Sequence, residues 1–85
     1  MKHATQTALD TLRDLLDTIR EKRGLREKTP GIFYRKSKSF LHFHEDPAGM
    51  YADLSMGARF ERFPVNTGKQ WKVLLRAIDR VLEDV

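Results

Sequence analysis

The sequence predicts a single α+β domain, residues 1–85, in which an antiparallel sheet lies between two terminal helices. Apolar residues recur at helical spacing near both ends of the chain. The segment between them consists of short runs rich in aromatic residues and separated by turn residues. Eighty-five residues without cysteine can form one thin core and no disulfide. The expected order is α-β-β-β-β-α, an antiparallel meander sheet with both helices on one face.

The first helix is predicted at about residues 6–23, with Thr5 or Thr7 as its N-cap and Gly24 as its left-handed end. Its apolar stripe consists of Ala8, Leu9, Leu12, Leu15, Leu16 and Ile19. The segment LREKTPG, residues 25–31, is expected to be a linker.

The closing helix is predicted at about residues 67–84, where Thr67 and Gln70 have the spacing of a capping box. Its stripe consists of Trp71, Leu74, Leu75, Ile78, Val81, Leu82 and Val85. Each helix has one apolar face, so each must cover the sheet.

The sheet is predicted at about residues 31–63, and its turns set the strand register. A two-residue Ser37-Lys38 loop would place Tyr34 opposite Leu41, and an Asp46–Gly49 turn would place residue 42 opposite residue 53. A three-residue loop at residues 56–58 would place residue 53 opposite residue 61. Under these registers the helix-covered face collects Ile32, Tyr34, Leu41, Phe43, Met50, Ala52 and Leu54.

The opposite side of the sheet, here called the open face, is the predicted binding surface because exposed rings on a small sheet mark interaction sites. It is expected to carry Phe33, Arg35, Phe40, His42, His44, Tyr51, Asp53, Arg59 and Glu61. Such a face could bind a protein partner or a second copy of the chain. It could also stack bases of single-stranded nucleic acid while its cations hold phosphates.

A basic segment precedes and joins the first hairpin. Eight Lys and Arg residues lie between positions 20 and 38 against two glutamates, a local net charge of +6 within a chain of net +4. This candidate phosphate-binding patch consists of Arg20, Lys22, Arg23, Arg26, Lys28, Lys36 and Lys38, beside Arg35. The alternative is a solvated helix end and turn.

Two histidines and a carboxylate are predicted to meet on the open face. His42, His44 and Asp53 could together hold Zn²⁺ or Fe²⁺, with Glu61 one strand further on. The alternative is a surface histidine pair with His42 hydrogen-bonded to Asp53 across the strands. Apart from this candidate metal, the sequence predicts no cofactor.

The sequence favours a binding role over catalysis. No cysteine nucleophile and no glycine-rich phosphate loop are present, and the serines lie at predicted turns or strand ends. No apolar run approaches the ~20 residues of a membrane span, so a cytoplasmic protein without membrane partners is expected. The leading hypothesis is a non-enzymatic interaction module, with nucleic-acid binding as the alternative and metal binding third.

The order of elements resembles small bacterial domains of the YjbR type. The likeness consists of a helix, a hairpin with a basic turn in FYRKSKSFLHFH, further short strands and a closing amphipathic helix. These domains are similar to a double-wing DNA-binding fold. The resemblance implies an α+β fold and raises the expectation of DNA or partner binding, and it carries over no catalytic residue.

Overall fold

A computed structural model describes residues 2–83 and confirms the α+β class with an antiparallel meander sheet. The helices are α1 (Gln6–Thr11), α2 (Arg13–Arg20) and α3 (Gly68–Glu83). The strands are β1 (Lys2–His3), β2 (Arg26–Thr29), β3 (Ile32–Arg35), β4 (Lys38–Asp46), β5 (Gly49–Ser55) and β6 (Phe60–Pro64). Strand order is β2-β3-β4-β5-β6, and β1 pairs with β4.

The N-terminal helix is shorter than predicted and divided in two. The Thr5 hydroxyl caps α1 by accepting a hydrogen bond from the N–H of Ala8 at 3.2 Å. The backbone departs from helical geometry at Leu12, and α2 ends at Arg20. Leu12 is nevertheless buried, so the predicted apolar stripe still faces the core.

The predicted linker before the sheet contains a strand, which is a correction to the four-strand expectation. Residues 26–29 pair with β3, and Glu27 holds this strand in place. Its carboxylate accepts hydrogen bonds from Arg20 Nε at 2.6 Å and from the Gly31 N–H at 3.0 Å. The strand therefore depends on a contact from α2 that local propensity does not reveal.

The β4–β5 hairpin has the predicted register. His42 lies opposite Asp53, His44 opposite Tyr51, and Asp46 opposite Gly49. The Asp46 side chain closes the turn by accepting a hydrogen bond from the Ala48 N–H at 2.8 Å.

The predicted β3–β4 register is wrong. The turn is formed by Lys36 and Ser37, both with positive φ, and Tyr34 pairs with Ser39 instead of Leu41. A bulge then leaves Phe40 as an extra residue on β4, because Phe33 pairs with Leu41. Phe40 and Leu41 are consequently both buried although they are adjacent in sequence.

The third hairpin also differs from the prediction by one residue. A four-residue loop places Asp53 opposite Arg62 and Ala52 opposite Phe63. Phe63 is buried, whereas Phe60, which was expected to face the core, is 45% exposed.

Helices α1, α2 and α3 all contribute to one apolar core on the same face of the sheet, as predicted. The Thr67 hydroxyl caps α3 by accepting a hydrogen bond from the Gln70 N–H at 3.2 Å. The core consists of Leu9, Leu12, Leu15, Leu16, Ile19, Phe33, Phe40, Leu41, Phe43, Ala52, Leu54, Phe63, Val65, Leu74 and Ile78. Within residues 2–83, no helix is long and apolar enough to cross a membrane.

Candidate functional site

The open face contains a chain of polar contacts centred on Asp53. Arg62 donates to both Asp53 oxygens, from Nε at 2.8 Å and from Nη2 at 3.1 Å. His44 Nε2 lies 3.1 Å from Asp53 Oδ2. The Arg62 guanidinium holds the pKa of Asp53 below its usual value, so this carboxylate is ionised at neutral pH.

Three imidazoles and one phenyl ring form a series of ring contacts that includes His44. The ring centre of His44 is 5.8 Å from that of His3 and 6.0 Å from that of His42. The ring of Phe60 lies 5.3 Å from His42 on its other side. Burial lowers the pKa of His42, and the neighbouring His44 lowers it further.

His44 is partly buried, and its side chain is 14% exposed. Both of its ring nitrogens are buried, and neither makes a hydrogen bond to a described residue. The close approach of Nε2 to Asp53 is therefore an electrostatic contact outside the direction of a ring hydrogen bond.

The bulge brings Ser39 and His42 together, a contact that the sequence prediction missed. Ser39 Oγ is hydrogen-bonded to His42 Nε2. A regular strand would place residues three apart on opposite faces, and the extra residue Phe40 places them on one.

Two of the three predicted metal ligands, His42 and Asp53, are hydrogen-bonded to other side chains. His42, His44 and Asp53 do lie together, but no group of three or more metal-ligating side chains in residues 2–83 is arranged to hold an ion. Competing partners hold ligand atoms of His42 and Asp53. Ser39 is bonded to His42 Nε2, and Arg62 takes both Asp53 oxygens.

Two of the aromatic rings predicted on the open face are instead buried in the core. Phe33 and Phe40 are 1% and 3% exposed because they face the helices. Tyr51 is half-buried opposite His44, and Phe60 is the ring that the open face gains. The β3–β4 and β5–β6 registers were predicted incorrectly. Each incorrect register placed a ring on the wrong face of the sheet.

The other predicted face residues are dispersed. Arg35 lies at the end of β3, and its guanidinium donates a hydrogen bond to the Val81 carbonyl at 3.3 Å. Arg59 is exposed in the loop before β6, and Glu61 lines a groove beside α3.

The predicted basic patch divides into a neutralised part and an unpaired part. Arg20 is bound by Glu27 and by Asp17, whose nearest oxygen is at 2.9 Å. Lys22 Nζ lies 2.6 Å from Asp79 Oδ1. Arg23 is exposed in the turn that follows α2.

The remaining cations surround the β3–β4 turn, and we call this group the basic tip: Arg26, Lys28, Arg35, Lys36 and Lys38. None of the five forms an ion pair with a carboxylate of the described chain. They are therefore the largest concentration of uncompensated charge in the predicted patch.

Two clefts open on either side of the turn. The larger, of about 350 Å³, is lined by Arg35, Lys36, Lys38, Ser39, Phe40, Ser55, Gly57 and Val81. The smaller, of about 280 Å³, is lined by Gly24, Leu25, Arg26, Lys28, Tyr34, Lys36 and Ser37. Lys36 lines both clefts, and among residues 2–83 no carboxylate side chain lines either one.

The backbone of the turn is unusual for its residues. Lys36 and Ser37 have φ of 51° and 68°, values that two-residue hairpin turns normally assign to asparagine and glycine. Lysine in this conformation costs stability, which points to a role for the side chain it projects.

Comparison of the chain with family models, with curated proteins and with solved structures finds no match. The resemblance to YjbR-type domains therefore stays a prediction.

Proposed function

We propose that this protein is a non-enzymatic nucleic-acid-binding module that holds backbone phosphates at its basic tip. The observation that carries the proposal is the pair of adjacent clefts that, within the described part of the chain, are lined by five cations and no carboxylate side chain. A phosphate backbone presents one negative charge after another, so it can occupy both clefts at once. The hydroxyl of Ser55 adds a neutral hydrogen-bonding group of the kind that positions phosphates.

Contacts to the nucleic-acid backbone are favoured over base stacking. Two of the three rings expected to stack bases, Phe33 and Phe40, are buried in the core. Tyr34, at the smaller cleft, has the Lys28 Nζ 4.7 Å from its ring centre. Binding is therefore expected to be insensitive to sequence, with single-stranded and duplex DNA bound with comparable affinity.

Salt dependence tests this mechanism directly. Five phosphate contacts on duplex DNA predict a slope of log K against log salt of about −4.5, and sequence-independent dissociation constants of about 1–100 µM at physiological salt. Fluorescence anisotropy of a labelled 20-base-pair duplex between 50 and 200 mM NaCl measures both quantities. A matching titration with the single strand tests the expected lack of preference.

A charge-matched pair of variants separates the tip from the overall charge. Lys36→Glu/Lys38→Glu and Lys69→Glu/Lys72→Glu each lower the net charge from +4 to 0. Lys69 and Lys72 lie near the start of α3, roughly 14 to 18 Å along the helix from Val81. The tip variant is expected to bind at least about tenfold more weakly and to reduce the slope by about 2. Equal losses in both variants, or no binding by the parent protein at 50 mM NaCl, contradict the proposal.

The exposed Phe60 favours a second candidate function, association through the open face with a protein partner or a second copy. Large exposed rings beside a polar network are typical of interaction surfaces. Sedimentation velocity across a concentration series tests self-association, which Phe60→Ser is expected to weaken. An unchanged monomer mass up to 200 µM excludes the homodimer.

A further inference from the structure

Strand β6 leaves one edge of the sheet open for pairing. It is the last strand in the order β2-β3-β4-β5-β6, and no strand of residues 2–83 pairs with its outer side. Four of its five residues are exposed, all except Phe63. Pro64 has no backbone N–H, so the remaining backbone groups on this edge are the ones that can form hydrogen bonds to an added strand.

A groove runs between this edge and α3. It has a volume of about 310 Å³ and is lined by Met56, Glu61, Phe63, Val73, Arg76, Ala77 and Arg80. Met56 and Val73 are 40% and 54% exposed, so apolar surface is available on both walls. Side chains of an added strand would alternate between this groove and the open face.

The charge of the groove selects the chemistry of its occupant. Two arginines and one glutamate line it, and neither arginine forms an ion pair within the described chain. We propose that the groove binds an extended peptide segment of a partner protein, added to β6 as a further strand, with apolar and acidic side chains facing α3. This mode combines backbone pairing for affinity with alternate side chains for specificity.

A second copy of the chain fits this edge poorly. The symmetric antiparallel register that pairs all five residues of β6 is centred on Arg62 and places two arginines directly opposite each other. Sliding toward Glu61 places two glutamates opposite each other instead. The opposite edge strand, β2, contains a bulge between Glu27 and Thr29, which discourages pairing there.

The test uses synthetic nonapeptides and the full chain. The probe is Val-Thr-Glu-Thr-Val-Thr-Glu-Thr-Val, whose valines and glutamates share one face of a strand, and the comparison peptide has lysine in place of glutamate. Fluorescence anisotropy of the labelled peptides measures affinity, and amide chemical shifts locate the site. We expect the glutamate peptide to bind at least about tenfold more tightly, with shifts concentrated in residues 60–64 and the facing side of α3.

Backbone methylation distinguishes strand addition from attraction alone. N-methyl groups on alternate peptide residues block one hydrogen-bonding edge, so one of the two possible methylation phases should abolish binding and the other should preserve it. Arg76→Glu/Arg80→Glu is expected to reverse the preference toward the lysine peptide, and Lys69→Glu/Lys72→Glu is the charge-matched control on the same helix. Equal binding of both methylation phases, retention of the glutamate preference in the arginine variant, no measurable binding, or self-association through β6 would overturn the proposal.

Discussion

Truncation of Phe40 tests the bulge in β4, because the alternative register would place this ring in solvent. The side chain is 3% exposed and belongs to the core. A buried aromatic ring removes roughly 150–250 Å² from water, or about 5 kcal/mol at 25 cal/mol/Å². Measured phenylalanine truncations cost about 3–5 kcal/mol, so we expect Phe40→Ala to destabilise the fold by that amount.

Urea unfolding followed by circular dichroism measures the loss. With an m-value of about 1.5 kcal/mol/M, the midpoint should fall by about 2–3 M. An 85-residue domain has about 4–13 kcal/mol of stability in total, so Phe40→Leu serves as a milder variant if the alanine variant does not fold.

Phe60 is the matched control, since the sequence predicted the reverse placement of the two rings. Phe60 is 45% exposed, and Phe60→Ala should cost about 1 kcal/mol or less. A Phe40→Ala cost below 1 kcal/mol, or a greater loss for Phe60→Ala, would refute the bulge and with it the composition of the open face.

Three further substitutions test separate contacts. Gly31→Ala should destabilise the fold by about 2 kcal/mol, because φ is +79° and the new methyl would lie 2.8 Å from a leucine side chain. Gly57→Ala, at φ +101° in open space, should cost less, and thermal unfolding compares the two variants. Glu27→Ala should cost about 1–2 kcal/mol by chemical denaturation and should increase amide exchange in β2, because it removes the hydrogen bonds that hold that strand. Arg62 lowers the pKa of Asp53 in the folded state, so the contribution of Asp53 to the unfolding free energy is present above about pH 4 and is lost as the pH falls through the folded pKa. Asp53→Asn should therefore flatten the acid side of the plot of unfolding free energy against pH. A wild-type profile parallel to that of Asp53→Asn below pH 4 would contradict the last expectation.

A strand register could be predicted from the sequence only where the residues of its own turn specify it. The Asp46–Gly49 turn is specified by its own residues, and the register of β4–β5 followed correctly, including the meeting of His42 with Asp53. The two flanking hairpins lack such a turn signal. A bulge in one and a fourth loop residue in the other each moved a phenylalanine to the other face of the sheet.

The candidate site was predicted in part for the same reason. The grouping of the histidines with Asp53 followed from the correct hairpin, but the partner of Asp53 is Arg62, which the misassigned third hairpin concealed. The basic segment was visible as composition. Its division depended on tertiary contacts such as Lys22 with Asp79, 57 positions apart, which no local pattern specifies.

The Lys36-Ser37 turn implies that this chain is not at its maximum attainable stability. Asparagine and glycine adopt positive φ at much lower cost, so Lys36→Asn/Ser37→Gly should raise the unfolding free energy by roughly 1 kcal/mol. The same exchange would remove a cation shared by both clefts. Selection for heat resistance alone should therefore recover this double substitution readily. Selection that also requires the proposed DNA binding should eliminate it.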